Sequence, residues 1–500
     1  MPSSRLCYFL TTLIPSSVFL SAGVAASLPS PCTSLSTVLP AQVFFPGTEG
    51  YNTSISSYRY VQTRLLPACI VKPRYAQNVS KIVEILGRHN STRFAIRGGG
   101  HNVNPGFANI ENGVTIDMRD MNTVDISRHG EVVEVGAGAL WGHVYDVVEQ
   151  RGLSILGGRV ASVGVGGLTT GGGISYLSPK RGWVCDSVKN FEVVLSNSSI
   201  VNANATSESS LFAALKGGQN NFGIVTRFDL KTFPQGPIWG GTITLSNASD
   251  TALLRAFTMF KDPSSFDPHA HVIIIFMYDV AQQSFFSLNN MWHSKPNGSK
   301  KALQGLLNVG PQINNTIGVA YAGEYAKISV MPVPQNARSQ WATTTFAISP
   351  TILFRVHKIW RSASIRLGQK FQKANLVSSY TIQSVPPPPP GSRPNSLGFS
   401  PYANPEKDLV NFLVLFQYED PKATQELQDS ILGIINEIDK IAEVEGIKQR
   451  FKYLNYAHWH QDILGSYGQA SLQRMQKVAK KYDPVGMFQN QVVGGFKLAP

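Results

Sequence analysis

Between Gly157 and Gly182 the chain places 9 glycines, in the stretch LSILGGRVASVGVGGLTTGGGISYLSPKRGW. Their spacing is too irregular for collagen and too interrupted for an ordinary helix or strand. This backbone is therefore expected to approach something closely, because glycine lacks the Cβ that holds other residues at a distance. A second cluster lies upstream, in RFAIRGGGHNVNPG at residues 93–106, where the strand-like run Phe94 to Ile96 feeds three glycines and then His101. A turn of this kind can aim backbone N–H groups at one point, which is the physics of an anion cradle. Glycines also make ordinary turns, and a lone histidine is often only a satisfied polar group. Neither block has the G-x-G-x-x-G grammar of a dinucleotide-binding Rossmann turn.

The flanking sequence predicts one compact α/β unit around these blocks. CIVKPRYAQNVSKIVEILGRHNSTRFAIRGGG reads as a short strand, a helix with Val79, Ile82, Val83 and Leu86 on its apolar face, and a strand entering the glycine turn. VTIDMRDMNTVDI and EVVEVGAG continue as strands, and LWGHVYDVVEQRG reads as a helix ending at Gly152. VKNFEVVLSNSSIV resembles a hairpin, SSLFAALKGG a helix, and FGIVTRFDLKTFP a strand running into Pro234. From about Trp239 the texture changes to long alternating strands, HVIIIFMYDV and NNTIGVAYAGEYAKI, with helices such as TALLRAFTMF and one around residues 424–442. The prolines Pro386 to Pro390 read as a polyproline-type surface loop. The tail ends in a helix stopped by KKYDP and is expected to return to the first unit and close a ligand site.

Five hundred residues, 43% of them hydrophobic, can bury more core than one typical domain needs. The start, RLCYFLTTLIPSSVFLSAGVAAS, has the charge, apolar run and small residues of a secretory signal peptide. No later stretch has eighteen uninterrupted apolar residues, so a membrane span is not expected. Removal of the leader leaves Cys32, Cys69 and Cys185. In an oxidising compartment a Cys32–Cys69 bridge would staple the N-terminal arm to the first α/β segment and leave Cys185 as a buried thiol; the alternative is three unpaired thiols. Glycosylation sequons begin at Asn52, Asn78, Asn90, Asn197, Asn204, Asn247, Asn297 and Asn314 and fit a secreted surface. The net charge of +13 is scattered, without a compact basic run interleaved with aromatics, and reads as a solvated surface rather than a nucleic-acid footprint.

The ordered combination of RGGGHN at 97–102, VGVGGLTTGGG at 163–173, GGQNNFGIVT at 217–226, and YLNY with KKYDPVGMFQNQ near the end resembles the FAD-linked oxidases with a PCMH-type flavin domain. It is most similar to their berberine-bridge-enzyme-like group and, within it, to secreted fungal-type oxidases of secondary metabolism. The resemblance covers most of the mature chain. It implies an α+β protein: a PCMH-type FAD-binding fold of two α/β subdomains, plus a substrate domain with an antiparallel sheet covered by helices. The implied division is a signal peptide at 1–26, an arm at 27–64, the FAD domain at 65–238, the substrate domain at 239–450 and a returning segment at 451–500.

By the same resemblance Arg97, Gly98, Gly99, Gly100, His101 and Asn102 form the first cofactor cradle, and Gly164, Gly166, Gly167, Thr170, Gly171 and Gly172 approach from the second subdomain. Gly223, Ile224 and Val225 supply backbone contacts, and Asn490 and Gln491 approach from the C-terminal return. His101 looks like the family histidine bonded covalently to the 8α carbon of the flavin. Many relatives add a cysteine linkage in a G-x-C-P-x-V-G segment, but GRVASVG places Val160 at the thiol position, so FAD is expected to be attached through His101 only. Where relatives often read GVGGH this chain reads GVGGL, with Leu168 at the histidine position.

An oxidase of this class takes hydride from a carbon while a base, within hydrogen-bond reach, takes the proton. YLNYAHWH offers Tyr456 and Tyr453 as leading candidates, with His458 behind them; in a strand Tyr456, His458 and His460 would share one face and Tyr453 the other. His458 and His460 have metal-ligand spacing but no convincing third ligand nearby, so no metal site is expected. The expected activity is oxidation of a small organic substrate, an alcohol or secondary metabolite, with electrons passed to O2 to give hydrogen peroxide. A carbohydrate oxidase of the same fold, a flavin dehydrogenase with another acceptor, and an inactive binding protein are the alternatives. Oligomeric state is not legible.

Overall fold

A computed structural model describes residues 30–330, 333–388, 395–399 and 409–498. The signal-peptide stretch 1–26, Pro389 and Pro390 lie outside the described residues. The first sheet has the order β1 (Val43–Phe44), β2 (Cys69–Val71), β4 (Val114–Asp117), β3 (Phe94–Arg97). β2, β4 and β3 are parallel, with β4 inserted between the two strands that a crossover helix joins. That helix, α1 (Ala76–Arg88), buries Val79, Ile82, Val83 and Leu86 completely, the face its periodicity predicts. Each such side chain contributes about 1.5–3 kcal/mol relative to exposure. A Cys32–Cys69 disulfide ties the arm to β2, and Cys185 is a fully buried free thiol.

The second sheet comprises β5 (Val124–Ile126), β6 (Val132–Gly136), β7 (Leu153–Ile155), β8 (Val188–Val194), β9 (Ile200–Asn204) and β10 (Ile224–Pro234). β10 is its spine, pairing antiparallel with β6, β7 and β8. α2 (Trp141–Glu149) packs on β7 and β5 of this sheet. The glycine block is not wholly irregular: contrary to expectation, a six-residue helix, α3 (Val165–Thr170), forms inside it. Gly164 caps it in extended conformation, Thr170 Oγ1 donates to the Gly166 carbonyl at 2.9 Å, and Gly172, at φ +108°, turns the chain out.

The third sheet has the order β14 (Gln312–Asn315), β11 (Ile238–Ser246), β13 (Ser284–His293), β12 (Ala270–Asp279), β17 (Val377–Ser384), β18 (Leu409–Tyr418), β16 (Arg338–Ala347), β19 (Lys448–Gln449), with β15 (Gly318–Ala320) on β11. All its pairs are antiparallel. α4 (Asp250–Phe260), α5 (Ile352–Lys370) and α6 (Thr424–Val444) cover one face, burying Val272, Ile274 and Phe276 of β12 with Phe412 and Val414 of β18. The opposite face, carrying Ile273, Leu413 and Leu415, turns toward the first two sheets.

Two stretches fold differently from the sequence reading. NNTIGVAYAGEYAKI does not continue as a strand: after β15 it becomes the helix Ala322–Ile328, because Gly323 N–H donates to Glu149 Oε1 at 2.8 Å and Tyr325 and Ala326 bury in the core shared with the first two sheets. YLNYAHWH is not a strand but a 3₁₀ turn at Leu454–Tyr456. No helix among the described residues is long and apolar enough to cross a membrane. Six sequon asparagines are exposed; Asn78 and Asn204 are half-buried, and each side-chain carbonyl accepts backbone N–H groups.

Candidate active site

The two glycine clusters meet. A Cβ on Gly99 would lie 2.6 Å from the backbone nitrogen of Gly164, so each loop can approach the other only as glycine. Together they wall a cavity of about 370 Å³, within the range of cofactor and small-molecule sites. Gly98, Gly99, Gly100, His101 and Asn102 line it on one side; Gly164, Gly166, Gly167 and Thr170 line it on another, and Gly223, Ile224 and Val225 at the end of β10. Two polar atoms here are buried without a hydrogen-bond partner, His101 Nε2 and Gln219 Oε1. Burial, helped by the charge of Arg59, pushes His101 down to about 3, so its ring is neutral at physiological pH. A backbone cradle plus buried, unsatisfied polar groups fits a bound polar cofactor rather than a packed core.

The C-terminal 3₁₀ turn closes the cavity. Three-residue spacing eclipses side chains in such a turn, so Tyr453 and Tyr456 lie on one side, both lining the cavity, with rings 4.8 Å apart. Asn455 Nδ2 donates to the Leu168 carbonyl and to Tyr453 Oη, both at 3.0 Å, keying the turn to the second glycine block. Asn104 Nδ2 donates to the Ala457 carbonyl at 3.0 Å and keys it to the first. The Tyr456 oxygen accepts from Arg159 Nη2 at 3.0 Å and from Gln383 Nε2 at 3.2 Å. Arg159 Nη1 in turn lies 2.7 Å from Gln383 Oε1 and 2.9 Å from His271 Nε2. Burial and then Arg159 hold His271 well below its ordinary value, so its Nε2 accepts. Burial raises the Tyr453 phenol above its ordinary value.

The FAD binding domain family matches residues 67–204, the segment that supplies both cradles. The FAD-dependent monooxygenase sdcF of Emericella nidulans is 32% identical over 480 residues, spanning 93% of this chain and 98% of its own. This chain is an FAD-linked oxidoreductase of the PCMH-type family. Two solved structures share the fold of the whole oxidoreductase. Xylooligosaccharide oxidase from Myceliophthora thermophila matches with a TM-score of 0.74, 20% identity and coverage of 94% of this chain and 100% of its own. Glucooligosaccharide oxidase from Acremonium strictum, a protein with 6-S-cysteinyl, 8α-N1-histidyl FAD, matches with a TM-score of 0.71, 18% identity and the same coverages.

Other residues of the oxidoreductase singled out by sequence stand outside the cavity wall. Arg97 is fully buried beneath the first turn, donating to the Ser54 carbonyl at 2.6 Å, 3.7 Å from Asp117, and stacked 3.6 Å from the Tyr58 ring. Gly171 packs on Asn455, and Gly172 faces Trp183 and Leu397. Asn490 sits in the short helix Met487–Asn490, while Gln491 directs its amide at the carbonyls of Leu86, His89 and Thr92. His458 is buried with Nε2 3.0 Å from Gln340 Oε1, and its ring is 5.2 Å from that of His460, with no third metal-ligating group among the described residues. Sequence reasoning missed Arg159, Gln383, His271, Trp341, Leu413, Leu415 and Gln219. Only Gln219, inside GGQNNFGIVT, and Arg159, beside Val160, had a local signal.

Proposed function

We propose that this oxidoreductase removes hydride from a small organic alcohol or secondary metabolite and delivers the electrons to O2, giving hydrogen peroxide, with FAD attached through His101 alone. The observation that carries the reading is Tyr456, whose phenolic oxygen stands in the cavity with a guanidinium and an amide N–H aimed at it. Bound FAD supplies a two-electron hydride acceptor that O2 can reoxidise. Acting as the base, the Tyr456 phenolate takes the proton of the substrate O–H, and until that transfer its negative charge is met by Arg159 and Gln383. Tyr453, held by Asn455, stacks beside it and shapes the space.

Gly98 to Gly100 and Gly164 to Gly167 hold the cofactor by backbone, Gln219 offers it an unpartnered acceptor, and the neutral His101 ring has a lone pair free to bond carbon. Val160 lines the cavity where a second, thiol linkage would need a cysteine. The disulfide and the exposed sequons suit a secreted glycoprotein.

The test is anaerobic addition of candidate alcohols, followed by air. Bleaching of the flavin and one peroxide per turnover is the expected result. The relative sdcF carries a monooxygenase name, which supplies the second reading: label from ¹⁸O2 appearing in the product, with peroxide falling short, would replace the oxidase assignment. Bleaching without peroxide in air would make the enzyme a dehydrogenase.

A further inference from the structure

On the reading above, two charges share the substrate side of the cavity, and they cancel. No aspartate, glutamate or lysine among the described residues lines the cavity; its ionisable side chains are His101, Arg159, Tyr453 and Tyr456. Burial, then the charge of Arg59, keeps His101 neutral, and burial raises the Tyr453 phenol so that it stays protonated at physiological pH. That leaves the Arg159 guanidinium and the Tyr456 oxygen, 3.0 Å apart. With Tyr456 as the phenolate base, each is the other's counter-ion. A charged substrate would leave water for a space with no opposite charge to spare, which is costly.

The wall that the third sheet contributes is apolar and offers no hydrogen bond. Trp341, Leu413 and Leu415 are the residues of that sheet that line the cavity, and the Trp341 Nε1–H already donates to Ser339 Oγ at 2.8 Å. On the same sheet, the Thr343 hydroxyl donates to the Phe412 carbonyl at 2.7 Å, Asn411 Nδ2 donates to Thr343 Oγ1 at 3.2 Å, and Gln383 Nε2 donates to Asn411 Oδ1 at 3.3 Å. These polar side chains satisfy one another rather than a ligand. Three aromatic rings meet at this end: those of Trp341 and Tyr453 stand nearly perpendicular to that of Tyr456, at 6.0 and 4.8 Å. Rings so arranged offer both faces and edges to a further planar ring.

We infer that the substrate is an uncharged aromatic molecule whose planar ring lies against Trp341, Leu413 and Leu415 and whose reacting hydroxyl meets the Tyr456 oxygen. The inference rests on the proposed reading of this cavity as the substrate site and of Tyr456 as its base. It excludes acids and amines, whose charge would go unmet. It also excludes sugars, which would bury several hydroxyls against the leucines without partners.

Anaerobic calorimetric titration of the holoenzyme with three isosteric probes, 2-naphthamide, 2-naphthoate and 2-naphthamidinium, tests the idea by binding alone, since they differ in charge and none is an alcohol. At pH 7 the neutral amide should bind about tenfold or more tightly than either ion, and cellobiose should show no binding at about a hundredfold higher concentration. The saturated decahydro-2-naphthamide should bind about fivefold more weakly than naphthamide, and Trp341→Leu, in flavin-loaded protein, should narrow that gap. Tyr456→Phe removes the charge that Arg159 faces, so naphthoate should tighten about tenfold. Either ion, cellobiose or the saturated amide binding as tightly as naphthamide in the wild type would overturn the inference, and so would a naphthoate affinity that Tyr456→Phe leaves unchanged. The function proposed above fails separately, through an unchanged rate of flavin reduction in Tyr456→Phe.

Discussion

The two sides of the cavity are made of different material. One side, the cofactor side on the reading proposed above, is backbone: Gly98 to Gly100 against Gly164 to Gly167, with a Cβ excluded where the loops touch. The other, the substrate side on that reading, is side chain: Tyr456, Arg159, Gln383, Trp341, Leu413 and Leu415, presented by a turn, a loop and three strands. Backbone cannot be exchanged without changing the fold, whereas side chains on a rigid sheet can be exchanged one at a time. On the proposed reading, that division would let one fold keep a flavin while its substrate changes.

The largest expected effect comes from breaking the backbone side. Gly99→Val would drive a Cβ to 2.6 Å from Gly164 N, against main chain that cannot step aside. The variant should purify without flavin, read from the ratio of visible to ultraviolet absorbance, and lose about 1–3 kcal/mol of stability. Leu415→Ala, on the other side, should purify fully yellow. Equal flavin content in the two variants would erase the distinction drawn here.

Next in size is Tyr456→Phe, which keeps the ring and removes the oxygen. Flavin content should be unchanged, and anaerobic stopped-flow reduction should slow by about 10²–10⁴. An unchanged rate would move the base to Tyr453 or His458. A smaller effect is expected at the junction of the two sides: His101→Ala should release its flavin on acid precipitation, where the wild type stays yellow, and reduction should slow by about tenfold, 1.4 kcal/mol of barrier. Peptide mapping that finds His101 unmodified in a flavin-loaded wild type would refute the linkage.

The smallest effect is on stability in acid. Burial, then the neighbouring His460, holds His458 down to about 4 against an ordinary 6.5. Below pH 6.5 the unfolded chain takes up a proton that the folded chain refuses until about pH 4, so the stability this group contributes is complete above 6.5 and is lost as pH falls toward 4. His458→Gln should flatten that loss by about 1 kcal/mol, measured by chemical denaturation at pH 7 and pH 5.5.

The same contrast decides what was legible. The glycine cradles, His101 and the two tyrosines are local features: a run of residues whose conformational freedom or chemistry is visible in a short window. The apolar face of α1 is equally local, since its period is written in 13 residues. Arg159, His271 and Gln383 are not, because they meet Tyr456 and one another across separations of 73 to 297 residues. No window contains them. YLNY misled for a related reason: tyrosines three apart in a 3₁₀ turn share a side, whereas alternation in a strand separates them, and the turn is fixed by distant partners, Leu168 and Asn104.

The last described residues complete the first sheet's surroundings. Phe94 N–H donates to the Gln491 carbonyl, Val492 bridges to Phe94, Asn221 donates to the Phe496 carbonyl, and Gly495 lines the cavity. Part of the cavity wall is thus supplied by residues far along the chain from the glycine loops. On the proposed reading the pocket is incomplete until residues 491–496 have docked against Phe94 and Asn221, so flavin retention should depend on that docking, and a chain cut before residue 491 should keep the glycine loops and lose the flavin.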